Sequence, residues 1–173
     1  LFLYYNERDM EGTVKTDSGA QIRDGMKSIN RLGVCSETEW PYNINIFNEK
    51  PTEKCYDNAL DHHTIEYRRL NQDVDQLKAC ITSGFPFVFG FAVFESFETE
   101  EVAKTGNMVM PEEGEKQLGG HAIMAVGYDD DKKVFVIQNS WGEEWGENGY
   151  IRIQRNVAFP GSKLESKSDC TGS

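Results

Sequence analysis

An α+β chain in two lobes, a helical first part and a β-rich remainder, is predicted by three features of the sequence. Ile22, Met26, Ile29 and Leu32 recur at the spacing of one helix face. The apolar run from Phe85 to Phe94 is about half as long as a bilayer-spanning helix, so it reads as a buried strand. Two further runs, HAIMAVGY and VFVIQNSW, flank DDDKK, which signals an antiparallel hairpin with a five-residue connection.

Taken in order, the first helix is expected to begin after Asp17 as N-cap and to end at Gly33, a residue suited to the position just past a helix. The stretches VCSETEWPYN and FNEKPTEKC carry proline and polar residues and suit a surface connection. They set a boundary near residue 60, giving a partial helical lobe at 1–60 and a β-rich lobe at 61–156. Leu70, Val74, Leu77 and Ile81 form a second helical stripe, closed by Gly84 and by Pro86, which lacks the N–H to continue it. Between Glu95 and Gln117 the chain is acidic and irregular, and a solvated excursion without function is expected. Asn148-Gly149 marks a tight turn into an alternating strand from Tyr150 to Arg155. Residues 157–173 read as a polar, poorly ordered tail.

Composition narrows the partners. With 18 Lys+Arg against 29 Asp+Glu, the net charge is −11 over 173 residues. Such a chain repels phosphate backbones and anionic headgroups, so neither nucleic acid nor a membrane is expected as partner. Four cysteines, Cys35, Cys55, Cys80 and Cys170, show no C-x-x-C spacing, which argues against a zinc ribbon or a thioredoxin-type pair. His62 and His63 are adjacent and lack a suitably spaced third ligand, so no metal site is expected. G-x-G-x-x-G does not occur, and no cofactor is expected. The opening LFLYYNERDM has neither a basic lead nor a small-residue cleavage site, so no signal peptide is expected there, and with Leu1 rather than Met in first place the chain is expected to be processed or cut. No Asn-x-Ser/Thr acceptor is present, and the compartment stays open.

The hairpin brings chemistry together. Folded about Asp131, it sets residue 121 opposite 141 and 123 opposite 139, so His121 and Asn139 become diagonal neighbours on one face. Diagonal neighbours lie roughly 7 to 8 Å apart, within reach of an imidazole and a carboxamide. An amide oxygen that accepts from one ring nitrogen fixes the tautomer and leaves the other nitrogen free to exchange a proton with a nucleophile. Being neutral, the amide suits a partner that is already an anion, such as a thiolate. Trp141 stands ready to shield the bond from water. The plainer reading is that His121 and Asn139 are satisfied core groups, with Trp141, Trp145 and the nearby glycines serving packing and turns. The pair alone does not decide between the two.

The assembled string does. GGHAIMAVGYDDDKKVFVIQNSWGEEWGENGYIRIQRN, from Gly119 to Asn156, resembles the His-to-Asn segment of papain-family cysteine peptidases, the cathepsin-like group. Its H-A-x-x-x-V-G-Y and N-S-W-G-x-x-W-G-x-x-G-Y elements carry the likeness. The SGAQ helix start, LGVCSETEWPY and the helix before PFVFGF match more weakly. The resemblance implies a papain-like two-lobed fold with an antiparallel β-barrel-like second lobe, and peptide-bond hydrolysis. It implies His121 as catalytic acid and base and Asn139 as its orienting partner. It also places a substrate cleft between the lobes, to which Gly90, Gly120, Ala122, Trp141 and Trp145 would contribute. Gly90 and Ala122 are small, which leaves room for a bulky apolar side chain. Substrate backbone would pair near Gly19 and Ala20, where the family usually has two glycines preceded by a cysteine and this chain has neither the second glycine nor the cysteine. Its disulfide pattern is therefore not carried over.

One element does not match. In this family the nucleophilic cysteine precedes the histidine and asparagine by about 130 to 150 residues, which falls before Leu1. Cys35, Cys55 and Cys80 lie too close upstream and in the wrong context, and Cys170 follows both partners. The expectation is a companion segment or chain that supplies the thiolate and the oxyanion-hole glutamine, and little activity from these residues alone. A non-catalytic homologue that binds peptides in the cleft is the alternative, distinguished by Ser or Gly at the nucleophile's position. An amidase or transglutaminase-like enzyme fits less well, since those more commonly place an acidic third residue.

Overall fold

The computed structural model describes residues 1–108 and 110–155. The polar tail expected at 157–173 lies outside these residues. The chain forms two compact units, Leu1–Arg69 and a second beginning at Leu70.

In the first unit, α1 (Phe2–Glu11) packs against α2 (Ile22–Leu32), followed by a short α3 (Glu53–Ala59). The α1–α2 contact is made close by small side chains: Gly25 and Ser28 are the buried residues of α2, while its apolar stripe is only half-buried. The expected N-cap does not form. Gln21 occupies that position without a side-chain hydrogen bond, and Asp17 instead accepts from the Tyr4 hydroxyl. A carboxylate four residues upstream is drawn to the stronger donor beside it. Gly33 does close the helix, at φ 75°, where a Cβ would run into the Ala59 carbonyl. Phe2, Cys35, Cys55 and Ala59 make a small core, flanked by Val34, Trp40 and Tyr56.

The second unit is built on a four-stranded antiparallel sheet in the order β1 (Phe87–Phe94), β2 (Gln117–Asp129), β3 (Val134–Gln138), β4 (Tyr150–Gln154). Helix α4 (Val74–Thr82) precedes it, with the Asp73 side chain accepting from Gln76 N at 2.8 Å as N-cap. The apolar run starts late: Phe85 is 67% exposed, and the strand forms only after Pro86. Phe89, Ile123, Phe135, Ile137, Ile151 and Ile153 line the core side of the sheet.

Two local features differ from the sequence reading. A bulge between Ala125 and Gly127 inserts a residue into β2, so Asp129 pairs with Val134 and the connection has four residues, 130–133, rather than five. On the other side of the bulge Met124 faces Gln138, the register expected from a turn centred on Asp131. The acidic stretch after β1 is not a plain solvated excursion. It forms a 3-10 turn (Glu95–Glu98) and helix α5 (Glu100–Thr105), and it buries Phe97 and Val102 completely or nearly so. Glu115 ties the stretch together by accepting from Ser96 N at 2.6 Å and Glu112 N at 2.9 Å. Isolated apolar residues in an acidic run leave no periodicity to read.

Candidate active site

His121 sits on β2, paired with Phe91 of β1, and Asn139 directly follows β3. Asn139 N donates to Gly149 O at 2.9 Å, which anchors the backbone on the turn that starts β4. That turn is a two-residue hairpin, Asn148 and Gly149, both at positive φ, closed by paired bonds between Glu147 and Tyr150.

The two side chains meet. His121 Nε2 lies 2.8 Å from Asn139 Oδ1. That oxygen also accepts from Ser140 N at 2.9 Å, which identifies it as the carbonyl end of the amide. An amide oxygen cannot donate, so Nε2 carries the hydrogen and donates, and Nδ1 of the neutral ring is left as the basic nitrogen. Asn139 is 9% exposed, and its Nδ2 is buried with no hydrogen-bond partner among the described residues.

Aromatic rings enclose the imidazole. Trp141 stacks on it with centroids 5.0 Å apart and planes inclined by 28°. Phe91 and Phe97 approach it at 6.0 and 6.4 Å. Phe97 in turn touches Trp141 and Trp145, each at 5.4 Å. Trp141 is thus where it can keep water from the His–Asn bond, and a hydrogen bond in such low-dielectric surroundings is stronger than in water. Phe97, missed in the sequence, is the fully buried centre of this cluster. Trp145 is half-buried and packs against the core beside Phe97 and Trp141.

Gly90 and Ala122 face each other across β1 and β2, and Gly120 pairs with Ala92 one step along. Gly90, Gly120 and Ala122 are exposed and alternate with the buried Phe89 and Ile123, so they lie on the outer face of the sheet. Gly19 and Ala20 belong to the first unit, in the loop before α2.

A family model described as papain family cysteine protease matches residues 12–170. The chain belongs to the papain family. It is 44% identical over 161 residues to an uncharacterized peptidase C1-like protein of Acanthamoeba polyphaga mimivirus, covering 88% of this chain and 52% of that one. A cathepsin B-like cysteine proteinase of Caenorhabditis elegans is 33% identical over 141 residues, covering 73% of this chain and 41% of its own. Among solved structures, xylellain, a cysteine protease from Xylella fastidiosa, matches with TM-score 0.82 and 42% identity over 90% of this chain and 62% of that one. The α+β, papain-like fold expected from the sequence is the fold found. The chain spans about half the length of these curated relatives.

Cys35, Cys55 and Cys80 of this papain-family chain are free. Cys35 and Cys55 are buried in the small core of the first unit. Burial and the neighbouring Cys55 thiol push Cys35 up to about 11, so it stays a thiol at neutral pH. Cys80 is half-buried, and its thiol donates to Phe85 O at 3.3 Å. Cys170 lies outside the described residues. Among the described residues no group of three His, Cys, Asp or Glu side chains could hold a metal ion, and no helix is long and apolar enough to cross a membrane.

Proposed function

We propose that this chain carries the histidine and asparagine of a cysteine peptidase that hydrolyses peptide bonds, and that polypeptide outside residues 1–173 supplies the thiolate. The observation that carries the reading is the bond from His121 Nε2 to Asn139 Oδ1, under the Trp141 ring, which leaves Nδ1 as the working nitrogen.

With a cysteine thiolate at Nδ1, the resting site is an ion pair of thiolate and imidazolium. Sulfur attacks the peptide carbonyl carbon, and the carbonyl electrons pass to oxygen. As that tetrahedral species collapses, the C–N bond breaks and Nδ1–H protonates the departing amine. Neutral Nδ1 then takes a proton from water while the hydroxide oxygen adds to the thioester carbon. Collapse of this second tetrahedral species releases the acid and restores thiolate and imidazolium. Asn139 holds the ring's plane throughout, which keeps Nδ1 aimed at sulfur in both half-reactions. The exposed Gly90 and Ala122 offer no side chain beyond a methyl, which supports a subsite for a bulky apolar residue.

The test is an assay of the whole native polypeptide on a fluorogenic peptide, with its mass measured to define which residues accompany Leu1–Ser173. Cleavage by the whole protein, its loss in His121→Ala, and none by residues 1–173 alone are the expected results. A whole protein that binds peptide without cleaving it would make this a non-catalytic homologue. Undiminished cleavage by residues 1–173 alone would refute an external nucleophile.

A further inference from the structure

A peptidase must grip substrate backbone as well as cleave it, and the first unit holds a buried cation poised to shape that grip. Arg8 of α1 is completely buried. A buried guanidinium is costly unless its N–H groups meet oxygen atoms, and here Nη1 and Nη2 do so while Nε has no hydrogen-bond partner among the described residues. Its acceptors are neutral. Nη1 donates to Gly19 O at 2.5 Å, Ser18 Oγ at 2.9 Å and the Tyr4 hydroxyl at 3.2 Å, and Nη2 donates to Thr13 O. The charge is therefore spent on the loop between α1 and α2.

Tyr4 completes the arrangement. Its hydroxyl donates to Asp17 Oδ1 and accepts from Gly19 N at 3.2 Å as well as from Arg8. Both polar groups of Gly19 are thus occupied, one by each side chain. Gly19 stands at φ 73°, a conformation that a side chain would strain. On the far side, Gln21 N donates to Glu11 Oε1 at 2.9 Å. Ala20 lies between these two tethered residues, and neither its N–H nor its C=O has a hydrogen-bond partner among the described residues. A fixed, unpaired amide and carbonyl on one residue are what an extended peptide needs for main-chain pairing.

We propose that Arg8, assisted by Tyr4, is a positioning residue for substrate: by occupying Gly19 it leaves Ala20 alone to pair with the backbone of a bound peptide. The inference rests on the peptidase reading above and narrows it, since the substrate would pair at Ala20 and not at Gly19. A loop restrained before substrate arrives loses less conformational freedom on binding, so the gain appears in affinity for peptides long enough to reach it.

The experiment uses the whole peptidase and two substrates: a peptide amide with several residues before the scissile bond, and an ester of a single acylated amino acid too short to reach Ala20. For Arg8→Met and Tyr4→Phe, KM for the long peptide is expected to rise about tenfold with kcat within about twofold, while the ester's kinetics stay near wild type. Arg8→Lys should fall between wild type and Arg8→Met. Amide exchange at Gly19, whose N–H is held by the Tyr4 hydroxyl, should quicken in the same order. Tyr4→Phe removes one oxygen only, so it carries the test if Arg8→Met does not fold. Equal losses on both substrates, or no loss on either in a folded variant, would overturn the inference and leave the peptidase reading standing. A wild-type protein that cleaves neither substrate would overturn both.

Discussion

At residue scale the contact that matters is the one between His121 and Asn139, and it was legible because β-strand parity is a strict rule. Residues 121 and 139 share parity about the hairpin, and the measured Nε2 to Oδ1 distance of 2.8 Å is what a bonded pair gives. Asn139→Ala in the whole enzyme should lower kcat by about 10- to 100-fold, because the ring loses its restraint while the chemistry of Nδ1 persists. Circular dichroism should show the fold retained, and unchanged turnover would remove Asn139 from the mechanism. Phe97 was not legible. A lone aromatic between glutamates has no partner at helical or strand spacing, and only the closed structure shows the three rings around it.

At the scale of elements, the α1–α2 pair carries a titration of its own. Glu7 faces Gly25 of α2, and burial, followed by the nearby Glu11 and Asp24, pushes it up to about 7. The folded protein then holds this proton more tightly than the unfolded chain does. The stability it contributes is complete below about pH 4.5 and is lost as pH rises towards 7. Glu7→Gln should therefore stabilise the protein more at pH 8 than at pH 5, by on the order of 1 kcal/mol once solvent screening at this half-buried position is discounted, and so raise Tm more at the higher pH. A thermal-unfolding series across pH checks it, and parallel pH profiles for variant and wild type would show that Glu7 titrates normally. Of these two helices only α2 was legible, from its stripe and from Gly33, whereas α1 was not anticipated. The N-cap of α2 was not legible either, because Asp17 had a tyrosine hydroxyl within reach that no sequence rule foresees.

For the whole molecule, family membership rests on 12–170 of the sequence and on a sheet whose order follows the chain, each strand pairing with the next. That simple order is why one hairpin register and two strand signals sufficed to anticipate most of the second unit. The first unit was harder to read, because its buried helix face is Gly25 and Ser28 and not the apolar stripe. The net charge of −11 over the whole 173-residue chain acts everywhere at once. Self-repulsion among so many carboxylates weakens the compact state, so adding sodium chloride from a few millimolar to about 0.15 M should raise Tm, and a flat response would mean local ion pairs already balance it. The bulge in β2 has an outcome for engineering. Since the odd residue is absorbed between Ala125 and Gly127, the tip at Asp131 and Lys132 lies on the other side of the register shift from the imidazole end. That tip is the natural place to graft a fluorophore or affinity handle, with the proton-transfer apparatus left undisturbed at the opposite end of the ribbon.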